Sequence, residues 1–210
     1  MRPSWLLALS LLCACGPAPR ATRPALSPAS FADLAQVDWD FSWRQSIVAT
    51  YVRPDHGGRT ESASFEAVLQ KEGSILTLVG LTPFGSRAFV IRQVGVAVSV
   101  IEGRRADLPF EASYILLDVN RCFFLGLTSK TLADGWTQQE VNGEVIRDFW
   151  QGGQLKERIF LTKGEPTGSR VLIRYTPGFT RSTAPKSLEL VNERFRYRLN
   201  ITLLEAEPPL

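Results

Sequence analysis

Few side chains in this sequence have chemistry to offer: one histidine, three cysteines and a scatter of carboxylates. His56 stands in Pro54-Asp55-His56-Gly57-Gly58, a turn composition in which an imidazole is simply solvated. Two carboxylate pairs, Asp38 with Asp40 around Trp39 and Glu140 with Glu144, have the proximity for acid–base work, yet neighbouring strand positions carry such charges routinely. Cys122, in Asn120-Arg121-Cys122-Phe123-Phe124-Leu125, has apolar neighbours and no base beside it, so it reads as a small buried hydrophobe. No Gly-x-Ser-x-Gly elbow, phosphate-cradling loop or metal-ligand cluster occurs. The expectation is a protein that is not an enzyme and holds no metal or cofactor. Arg194, Arg196 and Arg198 are spaced to share one face of a strand, where they meet water or an anionic lipid headgroup. A net charge of +3, falling to +2 if Arg2 is removed, is too small for a nucleic-acid partner.

The N-terminus carries a sharper signal. Met1-Arg2-Pro3 is a short positive region, Trp5 to Cys13 a compact apolar run and Ala14 a small residue before Cys15, which is signal-peptide layout. That run is far shorter than the ~20 residues a membrane-crossing helix needs, and no later stretch is long enough. Leu12-Cys13-Ala14-Cys15 resembles the lipobox of bacterial lipoproteins, and Cys15 fits it better than Cys13, before which the large Leu12 would have to enter a pocket that takes small side chains. Residues 1–14 are therefore expected to be a signal peptide and Cys15 the lipidated residue, with several acyl chains on one cysteine for firm anchoring. Gly16 rather than Asp after Cys15 points to the outer membrane, facing the periplasm. Residues 15–30 form a small-residue, Pro-rich tether, and residues 31–210 suit one domain. With Cys13 cleaved off and Cys15 acylated, Cys122 has no internal disulfide partner.

The elements that would position any site are mostly strands. Composition is ordinary for a chain able to bury a core, with 44% hydrophobic and 21% charged residues. Phe41, Trp43, Ile47, Ala49 and Tyr51 alternate with polar residues, and after the turn at residues 54–58 so do Ala63, Phe65, Ala67 and Leu69, which makes a long hairpin. Alternation continues through Ile75–Leu81, Arg87–Gln93 and Val96–Ile101, then resumes at Trp136–Val141, Glu144–Trp150 and Leu155–Lys163 around the hairpin signal Asn142-Gly143. Arg170–Tyr175, Ser187–Glu193 and Phe195–Leu204 bring the expected total to about eleven. Between Pro109 and Asp134 the period changes: Tyr114, Leu117, Asp118 and Arg121 have helical spacing, and Ser129 stands where it would cap a second short helix.

Several strands are apolar on both faces. Ile75, Val79 and Leu81 oppose Leu76 and Leu78, while Phe89 and Ile91 oppose Ala88 and Val90. A single sheet wetted on one side would not look like this. The fold class expected is mainly β: one antiparallel incomplete barrel, its concave side covered by the helical insertion and a helix near Phe31–Val37.

Leu76-Thr77-Leu78-Val79-Gly80-Leu81-Thr82-Pro83-Phe84-Gly85-Ser86-Arg87-Ala88-Phe89 resembles the strand, Pro-aliphatic-Gly turn and strand of the LolA/LolB-like lipoprotein carriers. Leu108-Pro109-Phe110 with Tyr114 to Asp118, and the ending Leu188 to Asn192 with Tyr197 to Ile201, resemble an uncharacterised bacterial lipoprotein family of the DUF3261 type. The resemblance implies an incomplete barrel with a helical lid and an acyl-chain cavity, here lined by Trp43, Phe65, Leu78, Phe89, Ile91 and Phe160. It also implies that the turn Pro83, Phe84 and Gly85 contacts the membrane. The implied partners are a lipid, acyl chain or lipidated molecule, and the membrane through the anchor. In the alternative, those bulky side chains fill the barrel and the protein is a scaffold for an envelope protein partner or machine.

Overall fold

A computed structural model describes residue 26 and residues 30–53, 57–103, 111–127, 133–164, 169–181 and 183–207. The expected signal peptide, Cys15, the tether up to residue 25, His56, the Leu108-Pro109-Phe110 motif and Ser129 lie outside those residues. The strands are β1 Phe41–Arg53, β2 Arg59–Glu72, β3 Ile75–Leu81, β4 Arg87–Val94, β5 Ala97–Glu102, β6 Gly135–Val141, β7 Glu144–Gln151, β8 Gln154–Thr162, β9 Val171–Phe179, β10 Ser187–Asn192 and β11 Tyr197–Glu207. Among the described residues one α-helix, α1 Ala112–Phe123, lies between β5 and β6.

All eleven strands join one antiparallel sheet, ordered β5-β4-β3-β2-β1-β11-β10-β9-β8-β7-β6. Two meanders therefore meet where the first strand pairs with the last, Ser42 opposite Glu207 and Tyr51 opposite Tyr197. The sheet stays open, with β5 and β6 as its edges. Its curvature has a local cause: the register slips at Arg44/Gln45, Gly80/Leu81, Val90/Ile91, Phe149/Trp150 and between Leu155 and Glu157, and each extra residue bends its strand. Asn142 and Gly143 both take positive φ, 54° and 82°, as a two-residue hairpin turn demands.

The turns fall on two rims. On the upper rim lie the connections after β1, β3, β6, β8 and β10; on the lower rim lie those after β2, β4, β7 and β9, together with the segment from Phe31 to Asp40. Helix α1 runs inside the curve from the upper rim, where Tyr114 meets Phe195 with rings 5.0 Å apart, to the lower, where Phe123 meets Trp43 at 5.1 Å. No residue of α1 is exposed, which marks a helix buried all round. Below it Trp39, Phe41, Trp43, Phe124 and Phe179 stack at 3.9 to 6.2 Å and close the lower end.

Two expectations need correction. The helix near Phe31–Val37 is a single 3-10 turn, Leu34–Gln36, capped by the Asp33 carboxylate accepting from the Ala35 amide at 3.1 Å. The last strand begins at Tyr197, not Phe195: residues 193–196 are a turn, Arg196 has φ 56°, and only Arg198 of the three arginines belongs to a strand. Alternating charge had mimicked a strand where the chain reverses. Among the described residues the outer face of β3 and β4 is covered unevenly: Val90 is 6% exposed, whereas Ile75 and Val94, directly paired, remain 39% and 49% exposed.

Candidate functional site

Register places Trp43, Phe65, Leu78, Phe89, Ile91 and Phe160 on the concave face, with Trp43 beside Leu69, Leu69 beside Leu78 and Leu78 beside Ile91. Their surroundings differ. Trp43, Leu78, Ile91 and Phe160 are 5% exposed or less and belong to the packed core. Phe65 and Phe89 are half-buried and meet edge to face, 6.2 Å between centroids, in a corner at the upper end of β2–β4. Phe89 lies flat on Gly80: any β-carbon at residue 80 would overlap the ring, which is what requires glycine in that strand.

The corner adjoins the β3–β4 turn. There the Thr82 amide donates to the Ser86 carbonyl at 2.8 Å, the Gly85 amide to the Thr82 carbonyl at 2.9 Å, and the two hydroxyls bond at 2.7 Å. Gly85 takes φ 77° to close the loop. This scaffold holds Phe84 out in water, 96% exposed, an unusual place for a phenyl ring. Pro83 and Gly85 are exposed beside it.

Under α1 the concave face is polar as well as apolar. Arg158, fully buried, donates from Nε to Asp148 at 2.8 Å and from its terminal nitrogens to Asp148 at 3.2 Å and to the carbonyls of Arg121 at 3.0 Å and Leu125 at 2.6 Å. A guanidinium thus satisfies the helix's C-terminal carbonyls and ties α1 to β7 and β8. Arg121 pairs with Glu144 at 2.5 Å and Asp118 at 3.3 Å. Tyr197 donates to the other Asp118 oxygen, the Asn192 amide donates to the Tyr197 hydroxyl at 3.0 Å, and Tyr175 donates to the Cys122 carbonyl at 2.6 Å. Asn120 donates to Gln93 at 2.7 Å and accepts from the Ala32 amide at 2.9 Å. Burial pushes the Asp118 carboxyl up against the opposing pull of Arg121 and of the Tyr197 hydrogen bond. Burial would also strip Arg121 of its proton, but Glu144 and Asp118 outweigh it. The Cys122 thiol is driven up by burial, as suits an inert core residue.

The carboxylates weighed as acid–base candidates are engaged in ion pairs: Asp40 with Lys71 at 2.8 Å, Asp38 with Arg181 at 3.2 Å, Glu140 with Lys163 at 2.7 Å and Glu144 with Arg121. The hydrogen bond from Lys71 holds Asp40 below the usual carboxylate range. Among the described residues no group of three potential metal ligands converges, and no helix is long and apolar enough to cross a membrane. The buried polar set was not singled out from sequence, though a signal existed. Lys71, Gln93, Asp148 and Arg158 sit at inward-facing positions next to Leu69, Ile91, Ile146 and Phe160, where alternation calls for an apolar residue.

Two recesses stand out among the described residues. One, of about 170 Å³, lies between α1 and the β6–β7 hairpin and is lined by Leu117, Leu125, Ile146, Arg121, Glu144 and Leu26 among others. The other, about 330 Å³, is an open groove at the upper rim between Val52, Thr60, Val191 and Arg196. Neither is an enclosed cavity on the scale of ligand sites, which run from roughly 300 to 1,000 Å³.

With this geometry in view, comparison adds relatives. A family model described as "Protein of unknown function (DUF3261)" matches residues 42–205. No curated protein matches the sequence. Among solved structures, a LolA superfamily protein from Nitrosomonas europaea is similar over 87% of this chain and 91% of its own, with 12% identity and a TM-score of 0.50, a likeness of fold. A domain described as an outer membrane lipoprotein-sorting protein, from Vibrio parahaemolyticus, is similar over 81% of this chain and 85% of its own, with 7% identity and a TM-score of 0.40.

Proposed function

The chain belongs to the DUF3261 family and has a LolA-like fold, and on that footing we propose that it is a lipid-anchored envelope protein, not an enzyme, that takes hold of an acyl chain or lipidated molecule at the upper corner of its concave face. One observation carries this: Phe84 is 96% exposed on the hydrogen-bonded turn that leads into the strand of Phe89, and Phe89 meets Phe65 edge to face in a half-buried corner. A phenyl ring held in water is stabilised by moving into lipid, at about 25 cal/mol per Å² of apolar surface removed. An acyl chain entering beside it meets Phe65 and Phe89 first, with Leu78, Ile91 and Trp43 deeper along the same face and Phe160 beyond α1.

The anchor in this reading is Cys15, exposed by loss of residues 1–14, with residues 15–30 as tether and the outer membrane, periplasmic side, as location. Cys15→Ser should abolish acyl labelling and leave the precursor uncleaved. Label that persists on Cys15→Ser and disappears from Cys13→Ser would move the anchor to Cys13.

A fluorescent fatty acid tests the corner. Phe89→Glu should weaken its binding, because a charge there has no partner. Phe84→Glu should spare binding and slow transfer to liposomes. Circular dichroism must show both variants folded; a wild-type protein that binds no acyl probe overturns the reading. A second reading, a scaffold with a filled barrel that serves an envelope protein partner, is favoured by the absence of any exposed residue in α1 and by the Arg158 clamp on its end. It predicts no acyl binding and retention of membrane-protein partners through the outer surface.

A further inference from the structure

The open sheet has two edges, and the chain guards them differently. Along the β6 edge the side chains are polar and engaged: Gln138 accepts from Arg147 at 2.9 Å, Gln139 donates to the Gly126 carbonyl, and Glu140 pairs with Lys163 at 2.7 Å. Charged and amide side chains of this kind discourage another strand from pairing there. The β5 edge, Ala97-Val98-Ser99-Val100-Ile101, has no charged residue and no proline before Glu102. Ala97, Ser99 and Ile101 are exposed, Ile101 at 54%, and so is Val96 in the turn before them. A bare aliphatic edge is a template for another strand.

Its backbone is open as well. Gly95 and Val96 form a two-residue turn between the paired residues Val94 and Ala97, so Ala97 and Ser99 exchange hydrogen bonds with Val94 and Arg92. Val98 and Val100, at the alternate positions, therefore point their N–H and C=O groups away from β4. Among the described residues those groups meet no donor or acceptor. The strand is regular over this stretch, because the extra residue of β5 falls beyond Val100, where the register slips between Val90 and Ile91.

An antiparallel neighbour here must bond to Val98 and Val100 and match side chains on both faces. A second β5 does so. About a two-fold axis at Ser99, Val98 of one copy lies opposite Val100 of the other, and each such pair exchanges both backbone bonds. Valine then meets valine on the concave side, while on the convex side Ser99 meets Ser99 and Ala97 meets Ile101. An axis at Val100 would instead set Val98 against Glu102, and an axis at Val98 would draw Val96 of the turn into the pairing. Arg92, beside Ser99 on β4, is the nearest cation, and the two copies of it stand three strand spacings apart, about 14 Å. Neither charge nor shape opposes the Ser99 register.

We propose that β5 is a self-association edge through which two copies of this chain join their sheets, antiparallel, about Ser99. The contact is isologous and closes on two copies. It depends on neither the Cys15 anchor nor an acyl ligand. So short a pairing lies at the low end of specific interfaces, which makes the dimer weak and concentration-dependent.

The test uses the full chain with Cys13→Ser and Cys15→Ser, in which Cys122 is the remaining native thiol and is buried. Ser99 would occupy a non-bonded position, where opposing Cα atoms approach to about 4.5 Å, within disulfide reach. Ser99→Cys should therefore oxidise to a linked dimer at least about tenfold faster than Ala97→Cys, whose two copies would stand about 13 Å apart. Equal rates would mean random collision and overturn the proposal. In sedimentation at up to about 1 mM the chain without an added cysteine should pass from monomer towards dimer, as a weak association does. Ser99→Lys, which sets two ammonium groups face to face at an exposed position, should weaken that dimer about threefold to fivefold. Mixing Ser99→Lys with Ser99→Glu should restore association, which misfolded variants could not do. A chain that stays monomeric throughout, or a dimer indifferent to Ser99→Lys, overturns the proposal. Species larger than dimers would mean that β5 of one copy meets β6 of the next, an open association, and would overturn it too.

Discussion

The concave face has two parts that obey different rules. Beneath α1, Phe160, Ile91 and Leu78 lie at most 4% exposed, and charged side chains are spent on one another: Asp148 with Arg158, and Asp118 and Glu144 with Arg121. In the upper corner Phe65 and Phe89 meet edge to face at 6.2 Å and stay half-buried. A region built for one arrangement fixes its helix with buried charge, because breaking such a pair strands an ion in a low-dielectric interior. A region that must admit another molecule keeps apolar surface partly uncovered and commits few partners to it. In the proposed reading, stability and ligand contact are thus divided between two parts of one face.

The largest effect expected from this division is on the clamp. Asp148→Ala leaves Arg158 buried without its carboxylate and should cost about 3–5 kcal/mol, read as a fall in the denaturant midpoint. Phe160→Ala, 1% exposed and packed under Arg158 at 5.2 Å, should cost a similar 3–5 kcal/mol. In the corner, Phe65→Ala removes a half-buried ring and should cost about 1–2 kcal/mol, since only part of its transfer energy is at stake. Equal losses at Phe65 and Phe160 would erase the distinction.

The two parts were unequally legible. Eleven strands and the helix over Tyr114 to Arg121 follow from periods of two and of 3.6, because burial of one face imposes those periods on the residues themselves. Phe84 was visible as a turn residue, and its exposure follows from the bonded Thr82–Ser86 loop around it. What alternation could not reveal is the clamp. Asp148 and Arg158 read as ordinary strand charges until the 148–158 pairing across β7 and β8, and α1 descending onto it, place both inside. Tertiary burial overrides the local meaning of a charge. The same holds for residues 193–196, where three alternating arginines suggested a strand face and the backbone turns at Arg196 with φ 56°.

A smaller effect sharpens the comparison through Cys122. Its thiol, on α1 itself, is 2% exposed and pushed up by burial, so alkylation of the native protein should proceed only through opening of that helix. A fatty acid seated in the upper corner should leave the alkylation rate within about twofold of the free protein, because nothing covering Cys122 has to move. A rise of tenfold or more on adding the fatty acid would mean that the chain displaces α1 and that the covered part of the face is the true cavity. Loss of reactivity would mean that the ligand tightens the helix and would still leave the corner as the contact.

The smallest effect concerns two carboxyls shifted in opposite directions. Asp40, at the lower rim, is held below its reference value of 3.8 first by the Lys71 hydrogen bond and then by the Gly73 amide, which offset its desolvation. A carboxyl whose folded value lies below its unfolded one contributes stability that is present above pH 3.8 and is lost as pH falls through the folded value. Asp118, on α1, is raised by burial, so its contribution is full below pH 3.8 and declines as pH climbs through its folded value. Asp40→Asn should accordingly flatten the acid limb of the stability profile below about pH 4, and Asp118→Asn should flatten the limb above it. Asp40 is partly solvated, with 35% of its side chain exposed, so screening keeps its contribution slight. At Asp118 the shift is set by burial, against which Arg121 and the Tyr197 hydrogen bond pull. Urea titrations of both variants between pH 3 and 8 separate the limbs, and an Asp118→Asn profile that parallels the wild type throughout would show that the charge beneath α1 is already neutralised within its network.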